Sequence, residues 1–262
     1  MDDIEYSTFE SGGRSLSVGV VGIGDPIMLV PGTLQSADRW IDSGYVEALR
    51  DEYRVLLFDP LGHGRSERST ESSDYVPDRL TAHIAAALDH VSEDSAHVWG
   101  YSRGAVMAGE FARTRPQHVR SLIYGGHVLF DAAAVLEAMG LAPDPVAREQ
   151  SEERAARGDW GAFWETFAVP MPDETKRFLQ HGNDPAALTA ASRGARVAPV
   201  VWDVPPVPTL AYWGDEEIFH ALNLEAAQPP IESFTVAGGH AEAFFPSESA
   251  IAGVKRFLAS LG

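Results

Sequence analysis

The sequence predicts an α/β domain: a mostly parallel sheet flanked by helices, with a helical cap inserted in its second half. Three observations point there. Short unbroken apolar runs, such as Ile27-Met28-Leu29-Val30, alternate with longer stretches of helical periodicity. One such run, His97-Val98-Trp99, passes through Gly100-Tyr101-Ser102-Arg103-Gly104 into a helix-forming segment that Pro116 stops. From about Val128 to Val201 the alternation lapses and only helix-like pieces remain.

In chain order, Tyr6 to Val21 reads as a hairpin, with Ser11-Gly12-Gly13-Arg14 as its turn and Leu16, Val18 and Val20 alternating on one face. Gly24-Asp25-Pro26 breaks the chain before the Ile27–Val30 strand, whose lack of polar positions predicts cover on both faces. Pro31-Gly32-Thr33-Leu34 follows, then a helix predicted over Ser36–Arg50. Arg54–Phe58 is a second buried strand, ending in the loop Asp59-Pro60-Leu61-Gly62-His63-Gly64-Arg65-Ser66. Leu80, Ile84, Leu88 and Val91 recur near the 3.6-residue period and predict a helix. After the Gly-x-Ser-x-Gly segment, Ser121–Tyr124 gives another buried strand.

Helical pieces are predicted at Asp131–Met139, Pro145–Arg157, Asp159–Phe167, Asp173–His181 and Pro185–Arg196. The domain reading is a core of residues 1–127 and 202–262 with a cap at 128–201. Trp160, Phe163, Trp164 and Phe167 are bulky at helical spacing, which suits packing of the cap onto the core before substrate contact. The alternation resumes with a strand at Thr209–Trp213, an exit loop Gly214-Asp215-Glu216-Glu217, a helix over His220–Ala227 and a strand at Glu232–Val236. The loop Ala237-Gly238-Gly239-His240 leads to a last helix with Ile251, Val254, Phe257, Leu258 and Leu261 facing inward.

Composition narrows the functions. A formal net charge of −18, from 38 acidic and 20 basic residues, argues against nucleic acid and anionic membranes as partners and does not choose among small-molecule substrates, the partner class expected. The absence of cysteine excludes disulfides, thiolate metal sites and a cysteine nucleophile. Met1-Asp2-Asp3-Ile4-Glu5 is acidic and has no apolar core, so no secretory signal is expected. No run of eighteen apolar residues occurs, and a cytoplasmic protein is expected.

A serine on a sharp strand-to-helix turn projects its hydroxyl out of the sheet, and the following helix aims free N–H groups at it. Glycines suit the flanking positions because a Cβ there would crowd neighbouring backbone. The Gly-x-Ser-x-Gly pattern is weak alone; the strand before it and the helix after it give it weight. Ser102 needs a base, and the base needs an orienting acid. Among nine histidines, His83, His90 and His118 read as solvated on polar faces, and His97 begins its strand at the wrong end. His240 follows the last strand, on the sheet edge where the serine opens, because parallel strands all end on one side. The strand ending at Trp213 opens onto that edge too, carrying Asp215, Glu216 and Glu217 as candidate acids.

Four stretches together resemble the α/β-hydrolase fold family over nearly the whole chain. They are the elbow Gly100–Gly104, the Asp59–Ser66 loop, Pro208–Gly214 before the acid, and Gly239-His240 followed by Phe245-Pro246. The resemblance implies a serine hydrolase with the order serine, acid, histidine. It places the acid at Glu217, with Asp215 as the alternative. It also implies an oxyanion hole from the backbone N–H groups of Thr33 and Arg103. Here Pro31-Gly32-Thr33 stands where the family usually has His-Gly, a change that leaves the Thr33 donor in place.

The implied reaction is cleavage of an ester-type bond of a small, largely apolar substrate through an acyl-enzyme, with no metal and no organic cofactor needed. Lactone hydrolysis, carbon–carbon bond hydrolysis and cofactor-free perhydrolysis use the same triad and stand as alternatives. A non-catalytic ligand-binding protein on the same fold is the alternative of another class. An aspartate nucleophile would point to haloalkane dehalogenase or epoxide hydrolase chemistry, and serine argues against both.

Overall fold

Strands that are apolar at every position sit where both sheet faces are covered, and the central strands follow that rule. The computed structural model describes residues 3–129, 135–137, 142, 144–166, 172–197, 204–244 and 248–262. Its sheet has eight strands: β1 (Glu5–Ser11), β2 (Arg14–Val21), β3 (Asp25–Val30), β4 (Tyr53–Asp59), β5 (Ala96–Tyr101), β6 (Val119–Gly125), β7 (Thr209–Gly214) and β8 (Glu232–Val236). Their spatial order is β1-β2-β4-β3-β5-β6-β7-β8. β1 and β2 pair antiparallel, as do β2 and β4, and every later neighbour is parallel. The predicted α/β class is therefore the observed one.

The ten helices labelled among the described residues are α1 (Ala37–Asp42), α2 (Tyr45–Leu49), α3 (Pro77–His90), α4 (Arg103–Thr114), α5 (Pro145–Ala155), α6 (Trp160–Glu165), α7 (Asp173–Gln180), α8 (Pro185–Ala195), α9 (His220–Ala226) and α10 (Glu248–Ser260). Two apolar layers sandwich the sheet. Met28 and Val30 of β3, with Leu56 and Phe58 of β4, face α3 and α4 residues including Ile84, Leu88 and Phe111. Ile27, Leu29, Val55 and Leu57 face the other way, toward Trp40, Tyr45, Val254 and Phe257.

Three expectations need correction. The helix predicted over Ser36–Arg50 is two helices, because Gly44 at φ 78° turns the chain between them. His83 is buried, not solvated: the β1–β2 hairpin covers that side of α3 and Ser11 Oγ lies 2.9 Å from its Nδ1. Leu261 lies past the end of α10 and is exposed.

Helices α5 to α8 fall within the stretch read as a cap. Asp144, Asp159 and Asp184 cap α5, α6 and α8 by accepting backbone N–H groups. Trp160, Phe163 and Trp164 pack with Leu34, Ala155 and Leu188, the packing role expected of them. Gly194 of α8 lies so close to the turn Ser72–Tyr75 that a Cβ would stand 2.3 Å from the Ser72 carbonyl oxygen. The helix predicted over Asp131–Met139 lies outside the described residues except for a helical turn at 135–137, and Phe167, Phe245 and Pro246 lie outside them too. Among the described residues no helix is long and apolar enough to cross a membrane.

Candidate active site

The site lies where β3, β5, β6 and β7 end. Ser102 sits between β5 and α4 with φ 54° and ψ −123°, a backbone region that residues with a Cβ rarely occupy. The surroundings hold it there. The Ser102 N–H donates to the Gly125 carbonyl at 2.8 Å, and the Ser102 carbonyl accepts from Ala105 N–H at 2.9 Å. A Cβ on Gly100 would stand 2.2 Å from the Gly104 carbonyl oxygen, and one on Gly104 would stand 2.1 Å from that of Val30. No atom tolerates such an approach, so both glycines are obligatory for this turn.

His240 Nε2 lies 3.0 Å from Ser102 Oγ, although 138 residues separate them. Its loop is tied down by Tyr101, whose hydroxyl donates to the His240 carbonyl and whose ring packs 5.4 Å from the imidazole. On the other side of the ring, Glu217 Oε1 is 3.6 Å from Nδ1. That oxygen also accepts the Gly214 N–H at 3.1 Å, which turns the side chain back toward the sheet edge. Asp215 faces elsewhere: its Oδ1 accepts the Gly238 N–H at 2.9 Å and its side chain is exposed. Glu216 is exposed, and its backbone N–H joins the Gly238 carbonyl. The structure thus brings Ser102, His240 and Glu217 into one line and leaves Asp215 and Glu216 bracing the loop.

Thr33 and Arg103 flank Ser102 in the wall of one cavity of about 940 Å³, which also reaches Val106, Met107 and His127. Arg103 is the first residue of α4, so its N–H is one of the groups that an α-helix leaves without an internal partner. Gly32 permits the approach of the β3 loop, because a Cβ there would meet Ser102 Cβ at 3.0 Å. The Asp59–Ser66 loop is framework. Buried Asp59 accepts the Ala37 N–H at 2.8 Å and the Arg65 N–H at 3.0 Å, closing the start of α1. Burial still raises its pKa against those two donors.

The model of the family described as alpha/beta hydrolase fold matches residues 25–227. The chain belongs to the α/β-hydrolase fold family. Two named relatives are similar over shorter stretches. One is the dihydrolipoyllysine-residue acetyltransferase component of the acetoin cleaving system of Pseudomonas putida, 35% identical over 116 residues, which are 43% of this chain and 30% of that protein. Another is the pimeloyl-(acyl-carrier protein) methyl ester esterase of Aeromonas hydrophila, 33% identical over 109 residues, 42% of this chain and 40% of the relative. The chain therefore spans less than half the length of either. Among solved structures, an epoxide hydrolase of Vigna radiata superimposes with a TM-score of 0.76 at 16% identity, covering 99% of both chains. At that identity the likeness concerns the α/β-hydrolase fold alone.

Two residues of this α/β-hydrolase site escaped the sequence reading. His127 follows β6 on the same edge and lines the cavity; burial lowers its pKa, the nearby His240 lowers it further, and its Nδ1 lies 3.2 Å from the Val128 carbonyl. Its place after Gly125-Gly126, at the end of a parallel strand, was the available signal. Tyr101 was visible only as a neighbour of the serine, since its bond to the His240 loop crosses 139 residues.

Proposed function

We propose that this chain is a serine hydrolase that cleaves an ester-type bond through an acyl-enzyme. The observation that carries this is the 3.0 Å approach of His240 Nε2 to a serine oxygen held at positive φ. With Nδ1–H facing Glu217, Nε2 is the unprotonated nitrogen, free to accept the Ser102 proton. Ser102 Oγ attacks the carbonyl carbon, its proton passes to Nε2, and the backbone N–H groups of Thr33 and Arg103 receive the oxyanion. His240 returns that proton to the leaving alcohol. Water then attacks the acyl-enzyme, gives a proton to His240, and the acid departs as Ser102 regains its hydrogen. The 3.6 Å gap from His240 Nδ1 to Glu217 is longer than a hydrogen bond and would shorten when the imidazolium forms.

In this reading residues 128–201 form a cap over a largely apolar cavity, and α6 and α8 belong to it. The esterase among the relatives agrees with the reaction, and the serine at the elbow stands against an aspartate-based epoxide opening. No step calls for a metal or an organic cofactor. Ser102→Ala is expected to abolish turnover of short p-nitrophenyl esters and labelling by a fluorophosphonate. Retained labelling or turnover in that variant would remove the serine from the chemistry. An unlabelled parent protein would favour the ligand-binding alternative.

A further inference from the structure

Beside the main cavity lies a second pocket of about 210 Å³ that shares Thr33 and Arg103 with it. Its wall is closed by His63 from the β4 loop, Phe163 of α6, and Leu188 and Ser192 of α8. Arg103 decides its character. One guanidinium N–H donates to the Ala191 carbonyl at 2.7 Å, while the group has five such hydrogens. Among the described residues no carboxylate pairs with it, and none of the described residues lining the pocket is acidic. Burial pulls its pKa down to about 10, so it is still a cation at neutral pH. Tyr75 offsets part of that fall, and Arg196 adds to it.

Arg103 is half-buried in the pocket wall, and a cation partly withdrawn from water is normally paired with an anion. The surrounding groups point to an anionic complement. Ser192 Oγ accepts Arg196 Nη1 at 2.8 Å, which leaves the serine hydrogen free to donate. Thr33 lines the same space, and its hydroxyl has no partner among the described residues. His63 supplies no second charge: burial holds its pKa down at about 4, and its Nδ1 lies 3.1 Å from the Leu61 carbonyl.

We propose that this pocket is a carboxylate subsite, and that the ester cleaved at Ser102 carries a free carboxylate held by the Arg103 side chain with the Thr33 and Ser192 hydroxyls. The favoured substrates are then hemiesters of short dicarboxylic acids, whose hydrocarbon chain spans from the scissile carbonyl to Arg103. This inference rests on the hydrolase reading for its reaction, but not for its binding step.

Two measurements test it separately. In turnover, the parent enzyme is expected to prefer p-nitrophenyl hydrogen glutarate over p-nitrophenyl pentanoate by about 10- to 100-fold in kcat/KM, the range a charge-assisted hydrogen bond supplies. Arg103→Met should bring that ratio near unity, and Arg103→Lys should restore part of it. Because Arg103 also holds α8, binding is measured without altering it: calorimetry on Ser102→Ala should show monomethyl glutarate binding about tenfold or more tighter than dimethyl glutarate. Equal binding of the two esters, or a preference that survives Arg103→Met, overturns the subsite. Fluorophosphonate labelling reports on Ser102 alone, so a labelled enzyme without the preference fails only this inference. An unlabelled protein that binds the hemiester fails only the hydrolase reading.

Discussion

Glu217 and Asp215 stand two residues apart in one loop, yet their carboxylates do different things. Glu217 folds back over its own turn to accept the Gly214 N–H and comes to face the imidazole. Asp215 instead clips the β7 exit loop to Gly238, two residues before His240. An imidazole that loses its carboxylate also loses its preferred tautomer, which costs about 10⁴ in kcat in well-studied triads. Glu217→Gln is accordingly expected to lower kcat by about 10³- to 10⁴-fold with KM little changed. Asp215→Asn replaces an exposed acceptor and should stay within about threefold of the parent. Steady-state rates on one p-nitrophenyl ester decide it, and the reverse order would hand the acid to Asp215. The family resemblance ranks Glu217 ahead of Asp215, but their separate roles are made by hydrogen bonds inside a four-residue turn and its neighbour loop, which no spacing displays.

The elbow shows how an element carries a site. α4 can start directly under Ser102 only because Gly104 lets the helix touch the end of β3. Gly104→Ala would drive a methyl group into the Val30 carbonyl, a backbone clash that no side-chain rotation relieves. The variant should lose about 3 kcal/mol or more by urea denaturation and, where still folded, lose fluorophosphonate labelling. A folded, fully labelled Gly104→Ala protein would mean that the turn tolerates what its geometry forbids. Such local rules made most of the fold legible beforehand. Apolar runs without a polar position give buried strands, Pro116 stops α4 after Thr114, and parallel strands bring residues 102, 217 and 240 to one edge. What stayed hidden depends on distant chain. The Gly44 break divides a stretch that reads as one helix, and His83 is buried by a hairpin some seventy residues earlier. The Arg103 side chain turns toward α8, whose approach no spacing near residue 103 announces.

Buried histidines give the whole molecule a pH dependence. His63 and His83 are both enclosed, and burial lowers each pKa to about 4 from an ordinary value of 6.5. Nearby arginines push the same way: Arg103 and Arg68 on His63, and Arg79 on His83, where Asp74 opposes. Folding therefore favours the neutral rings. Between pH 6.5 and about 4 the unfolded chain binds protons that the native chain refuses, so stability is present above that window and lost as pH falls through it. Each such histidine contributes a slope of up to about 1.4 kcal/mol per pH unit there. Other groups titrate as well: acidification relieves the self-repulsion of a chain with net charge −18 and protonates Asp59, whose pKa is raised, and both effects oppose that of the histidines. A difference between proteins removes those shared contributions. His83→Gln keeps a polar group toward Ser11 but cannot take up a proton. Urea unfolding at half-unit steps from pH 7 to 5 should show the variant losing stability less steeply than the parent, with the gap between the two curves changing by about 1 kcal/mol per unit below pH 6. Parallel curves would mean that position 83 carries the same charge folded and unfolded, and the hairpin would then not seal that face of α3.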